Sequence, residues 1–113
     1  MEFKPRKLSE ATLQAEFYHQ CRLNDIQCFL EYRSFWNGRS GSRFDAVIIK
    51  DNQIKAIVEL KSRKNLEKAK IWREKKWLNS NKYKKYSQFG VPLYIILCES
   101  EIIPLIDKLK GEI

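Results

Sequence analysis

The sequence predicts an α/β domain in which a mixed central sheet of about four strands is flanked by helices, in the order αβββαβ. Three observations carry that expectation. Two apolar runs, Arg43–Ile49 and Ile54–Lys61, flank the turn residues Asp51-Asn52-Gln53, the pattern of an antiparallel hairpin. A basic segment with helical character then leads to Leu93–Cys98, which is short and almost wholly apolar. The last strand should therefore return parallel to the Ile54–Lys61 strand through a right-handed crossover. Upstream, an amphipathic stretch supplies a first helix. No low-complexity linker or internal repeat divides the chain, and 113 residues suit one core, so 1–113 reads as one domain.

The first helix should run from Leu8 to Asn24, with Ser9 as N-cap and Leu8 and Leu13 as a hydrophobic staple. Glu10, Leu13, Phe17 and Cys21 follow at i, i+3, i+7 and i+11, which places Glu10 at the edge of the stripe facing the sheet. Gln14 lies one turn on along the same face, and Glu16 on a different flank. Gln27–Arg33 reads as the first strand, and Ser34–Ser42 as a turn-rich loop leading to Asp45. After the hairpin come a helix over Lys64–Lys76 and another from Asn79 or Asn81 to Phe89, stopped by Gly90 and Pro92. The final helix should cover Ser100–Lys110, with Pro104 near its first turn and Gly111 as its stop.

Register decides what the hairpin does. Alternation puts Glu59 and Lys61 on one face of their strand and Val58 and Leu60 on the other. A three-residue loop at 51–53 pairs Lys50 with Ile54 and sets Asp45 opposite Glu59, whereas a two-residue loop would set it opposite Val58; the odd-length loop is the reading adopted. Opposed residues have Cβ atoms about 4.5–5.5 Å apart, close enough for two carboxylates to share a cation. Hard oxygen ligands of this kind suit Mg²⁺ or Mn²⁺, and such an ion activates water and a phosphate oxygen while Lys61 orients the water or neutralises developing charge. The plainer alternative is that Glu59 and Lys61 are charge partners on a solvated face. Against it, both strands are otherwise strongly apolar, and an unpaired acid buried there would be costly.

Phe44-Asp45 followed by Glu59-Leu60-Lys61 resembles the core motif of the PD-(D/E)xK nuclease superfamily, with Phe44 in place of the proline, a change that touches no ligand. The resemblance covers roughly residues 9 to 98. It implies a restriction-endonuclease-like core and Mg²⁺-dependent hydrolysis of DNA phosphodiesters. Asp45, Glu59 and the backbone carbonyl of Leu60 would then hold the metal, with Lys61 assisting the water. The family's first helix often adds an acid, for which Glu10 is the first candidate and Glu16 the second, although an acid at Glu10 also suits the helix dipole without any catalytic role. Glu31 is a further possible site acid, or a partner for Arg33 on its own strand. Relatives carry a polar residue on the crossover helix near the metal, and Asn81, Lys82, Lys85 and Gln88 all stay open for that place. The small size is similar to Holliday-junction-resolvase-like and VRR-type nucleases, which implies selectivity for branched DNA and a symmetric homodimer.

Charge points to the same class of partner. Residues 61–86 hold eleven Lys or Arg against Glu67 and Glu74, a local +9 in a chain of net +8, so the remainder sums to about −1. A phosphate polymer suits such a block, because each neutralised phosphate releases condensed counterions. Arg39, Arg43, Arg63, Lys64, Lys82, Lys85 and Gln88 are the candidate contacts to DNA, with RNA not excluded, and Trp36 could join them. Trp72, Trp77, Tyr83 and Tyr86 either stack on unpaired bases or pack in the core. Two other functions fit the same residues: a nucleic-acid-binding module that does not cut, and a nuclease subunit that needs a protein partner for targeting. Cys21, Cys28 and Cys98 lie in apolar segments without C-x-x-C spacing and read as reduced core residues, and the single His19 cannot make a two-histidine metal site. No run reaches membrane length and Met1–Arg6 lacks a signal-peptide core, so no membrane partner is expected and the cytoplasm is the expected location.

Overall fold

The computed structural model describes residues 9–36, 39–62, 65–77, 83, 87 and 90–112, with the backbone alone at 33–36 and 39–43. Four strands form one mixed sheet in the order β1 (Cys28–Trp36), β2 (Arg39–Lys50), β3 (Gln53–Leu60) and β4 (Leu93–Ile96). The first two neighbouring pairs are antiparallel and β3–β4 is parallel, as the crossover argument expects. Three described helices accompany them: α1 (Glu10–Leu23), α2 (Leu66–Lys75) and α3 (Ile102–Glu112), the last entered through a 3₁₀ turn at Glu99–Glu101.

Helix α1 begins where the sequence marks it. The Ser9 hydroxyl accepts the Thr12 N–H at 3.2 Å, and Leu13, Phe17 and Cys21 are the buried stripe. That stripe packs with Leu105, Ile106 and Leu109 of α3 on the face of the sheet formed by Ala46, Ile48, Ala56, Val58 and Leu60. The Cys21 thiol hydrogen-bonds to Cys28, and this contact, with burial, pushes its pKa above the ordinary thiol range, so Cys21 belongs to the core as a neutral thiol. On the opposite face, Val47 and Ile57 pack with Phe44 and Trp77 against half-buried Trp72 and Tyr83. Trp77 lies 5.7 Å from Trp72 and meets Tyr83 edge-on at 6.1 Å, so it is a core residue and unavailable for stacking on bases.

The hairpin turn departs from the expected three-residue loop. Lys50 pairs with Gln53 across a two-residue turn, and Asp51 (φ 54°) and Asn52 (φ 62°) both take the positive φ that a type I′ connection requires. Such a turn alone would set Asp45 opposite Val58. A bulge corrects it: Ile49 pairs with Ile54 but Ile48 with Ala56, leaving Lys55 as the extra residue and restoring the Ala46–Val58 pairing that brings Asp45 level with Glu59.

The expected loop over Ser34–Ser42 is also corrected. Trp36 pairs with Arg39 and Arg33 with Arg43, so these residues are the arms of a long hairpin, with one register shift between Arg33 and Phe35. Backbone pairing needs no apolar side chains, which is why a Ser- and Gly-rich run can serve as a strand. Gly111 lies within the last turn of α3 and does not stop it. Of the helix expected up to Phe89, Tyr83 and Ser87 are helical and the remainder, with Leu8, falls outside the described residues. No helix among the described residues is long and apolar enough to cross a membrane.

Strand β4 is only four residues long, and side chains close its outer edge. Arg73 Nη1 donates to the Ile95 carbonyl at 3.1 Å and to Glu101 at 2.8 Å, while Glu101 Oε1 accepts the Leu97 N–H at 2.7 Å. On the α3 side the Tyr94 hydroxyl donates to Glu112 at 2.6 Å; burial first, and the carboxylate second, push the phenol up to about 12. Asn52→Gly should relieve the non-glycine positive φ in the turn and raise stability by about 0.5–1 kcal/mol, read as a higher urea midpoint at unchanged slope.

Candidate active site

The site forms where the β2–β3 ladder ends. Along β3 the odd-numbered residues direct their backbone groups to β4, with Ile57 N–H on the Pro92 carbonyl at 3.0 Å and Lys61 N–H on the Ile96 carbonyl at 2.9 Å. Leu60 therefore turns its N–H and its C=O toward β2. There the Asp45 carboxylate, half-buried, accepts the Leu60 N–H through Oδ2 at 3.0 Å. A side chain thus takes the place of the main-chain acceptor one step beyond the Ala46–Val58 pair.

Glu59 is the buried acid of the described structure, 1% exposed. Val58 and Leu60 face the α1 side of the sheet, so alternation places Glu59 on the Ile57 face, toward α2. Its Oε2 lies 3.8 Å from Lys61 Nζ, whose side chain keeps 23% of its surface exposed. That distance is an ion pair without hydrogen-bond geometry. Two carboxylates and a main-chain carbonyl are hard oxygen donors of the kind that Mg²⁺ or Mn²⁺ takes, with the Lys61 ammonium beside Glu59 as a positive charge and not a ligand.

Helix α1 brings Glu10 to the same end of β3. Glu10 Oε1 accepts the Ser62 N–H at 3.3 Å across 52 residues of sequence, which joins the first turn of the helix to the exit of the strand. Glu16, the second candidate, instead accepts Gln20 Nε2 at 3.1 Å along its own helix. Gln14 is half-buried one turn beyond Glu10. Glu31 lies between the Leu30–Ala46 and Tyr32–Phe44 pairs, level with Asp45, in a left-handed conformation (φ 53°) that breaks the regular alternation of β1, and it is exposed. Among the described residues no three His, Cys, Asp or Glu side chains form a ready metal-binding group, so Glu10 and Glu31 flank the Asp45–Glu59 pair and do not close around it.

Arg39 and Arg43 lie on the arm of β2 that runs into Asp45. Arg63, Lys64, Asn81, Lys82, Lys85 and Gln88 fall outside the described residues. Sequence reasoning missed Ser62, whose contribution is a backbone N–H, and the Arg73–Glu101 pair, whose partners are separated by 28 residues and carry no motif. A cleft of about 990 Å³ opens elsewhere, between α2, β4 and the start of α3, and is lined by Arg73, Trp77, Leu93, Ile95, Glu101 and Leu105 rather than by the acids. Comparison of the chain with family models, with curated proteins and with solved structures found no match.

Proposed function

We propose that this chain is a metal-dependent nuclease that hydrolyses DNA phosphodiester bonds, a small member of the PD-(D/E)xK superfamily with a restriction-endonuclease-like core. The observation that carries the reading is the Asp45 carboxylate seated on the Leu60 N–H, level with buried Glu59 and with Lys61 3.8 Å from that acid. Glu59 is buried at the end of an apolar strand, level with a second acid, which is where a metal-binding pair of carboxylates is expected. Asp45, Glu59 and the Leu60 carbonyl would hold Mg²⁺ or Mn²⁺, and the bound ion would supply Lewis-acid activation of a phosphate oxygen and of water.

The chain's own groups divide the remaining work. Lys61, partly exposed, brings a positive charge to the phosphoryl group as negative charge develops there. Glu59 keeps that amine at the strand end, and Asp45 fixes the Leu60 backbone so that its carbonyl direction is set before substrate arrives. Glu10 braces the exit of the strand through Ser62. The basic block over 61–86 and the arginines of the β2 arm supply the attraction for phosphates. A branched duplex offers two strands to cut, so a resolvase-like activity would use a symmetric pair of chains.

Cleavage of labelled linear, flap and four-way-junction DNA with Mg²⁺ or Mn²⁺ tests the reading. Asp45→Asn, Glu59→Gln and Lys61→Ala should each lower the rate by at least about a hundredfold. Tight binding with no cutting by the wild-type chain under either metal would replace it with a binding module or a partner-dependent subunit. A second expectation concerns affinity alone. In Ca²⁺ or EDTA, Arg39→Ala and Arg43→Ala should each reduce the slope of log K against log salt by about 0.9, and equal slopes for wild type and variants would remove the arm from the DNA contacts.

A further inference from the structure

We infer that Arg73 and Glu101 are positioning residues for Lys61, acting through Ile95, Ile96 and Leu97 at the end of β4; the inference rests on the role proposed for Lys61. Strand β4 is a four-residue edge strand, and its backbone groups alternate in direction. The inward-facing Ile96 carbonyl accepts the Lys61 N–H at 2.9 Å. Its two neighbours face outward, and both are taken by the ion pair: Arg73 Nη1 holds the Ile95 carbonyl at 3.1 Å, and Glu101 Oε1 holds the Leu97 N–H at 2.7 Å. One donor and one acceptor, joined to each other at 2.8 Å, stand where a fifth strand would pair.

A surface ion pair adds little stability by itself, and the Arg73 and Glu101 side chains are about one quarter exposed. What this pair provides is fixed geometry. Arg73 lies in the last turn of α2 and Glu101 in the 3₁₀ turn before α3, so together they tie two helices to the residues on either side of Ile96 at the end of β4. Lys61 stands one residue beyond the end of β3, where the regular ladder no longer constrains it. A short edge strand frays unless its outward groups are satisfied, and fraying at Ile95–Leu97 would release the Lys61 backbone from Ile96.

The test compares wild type with Glu101→Ala and Glu101→Gln in the full chain, the glutamine retaining an oxygen for the Leu97 N–H and for Arg73. Amide hydrogen exchange should be about tenfold faster at Leu97 and at Lys61 in Glu101→Ala, with Val58 and Phe17 unchanged, and Glu101→Gln should restore both rates. Metal-dependent DNA cleavage should lose about tenfold to a hundredfold in kcat at constant KM in the alanine variant and recover in the glutamine one. Faster exchange at Leu97 alone, or equal acceleration at all four amides, overturns the inference. If the wild-type chain cuts no DNA under either metal while Lys61 exchange still depends on Glu101, the positioning link stands and the nuclease reading falls.

Discussion

The register of β2 against β3 is the constraint from which the rest of the site follows. A slip of one residue would move Asp45 from Glu59 to Val58 and carry every side chain of the strand to the other face. The turn does not provide the correct register by itself, because two residues with positive φ give the wrong parity. The unpaired Lys55 supplies the missing step. Core and site then demand the same register: the pairing that aligns Ala46 with Val58 and Val47 with Ile57, all fully buried, also seats the Asp45 carboxylate on the Leu60 N–H. Any sequence change that preserves the packing of these apolar pairs also preserves the relation of the two acids.

What the sequence made legible were the features with a local period or a local stop. The Leu13, Phe17 and Cys21 stripe, the Ser9 cap and the parallel return of β4 all follow from spacing and composition. The register that sets Asp45 level with Glu59 was readable too, though through the wrong turn, since a bulge at Lys55 leaves no mark in an alternating strand. The long hairpin arm was hidden for a different reason. Its pairing is made by the backbone, and the Ser-Gly-Ser composition of residues 40–42 looks like a loop when strands are sought by apolar alternation. Helix geometry set Glu10 at the edge of the sheet-facing stripe, and its partner there is the Ser62 N–H, which no side-chain pattern can announce. Arg73 and Glu101 carry no local signal at all.

The basic segment shows how one stretch can build the core and keep its charges in solvent. In α2, Ala69 is buried and Trp72 packs inward, while Lys68, Glu74 and Lys75 are exposed. The aromatics that alternate with cations in the sequence are thus directed to opposite sides in space. Trp77 extends the inner row into the cluster with Phe44, Val47 and Ile57, on the sheet face that also carries Glu59. The apolar half of this segment therefore covers the sheet beside the buried acid, where it lowers the local dielectric and strengthens every interaction made there.

Under the proposed nuclease reading, the exit of β3 is the point where precision is needed. Up to Val58 the chain is held between two neighbouring strands, and Leu60 is held by β4 and the Asp45 carboxylate. Beyond it, Lys61 and Ser62 are held from opposite sides of the sheet edge, one by the Ile96 carbonyl of β4 and the other by the Glu10 carboxylate of α1. Each of these anchors is itself fixed by a more distant contact: Ile96 by the Arg73–Glu101 pair around it, Glu10 by the Ser9 cap and the Leu13–Phe17 stripe of its helix. A lysine on a flexible four-carbon stem is a poor point charge unless its backbone is fixed, because most of its rotamers would carry the ammonium away from Glu59. The fold therefore secures the amine through its main chain and leaves the side chain only a short distance to search.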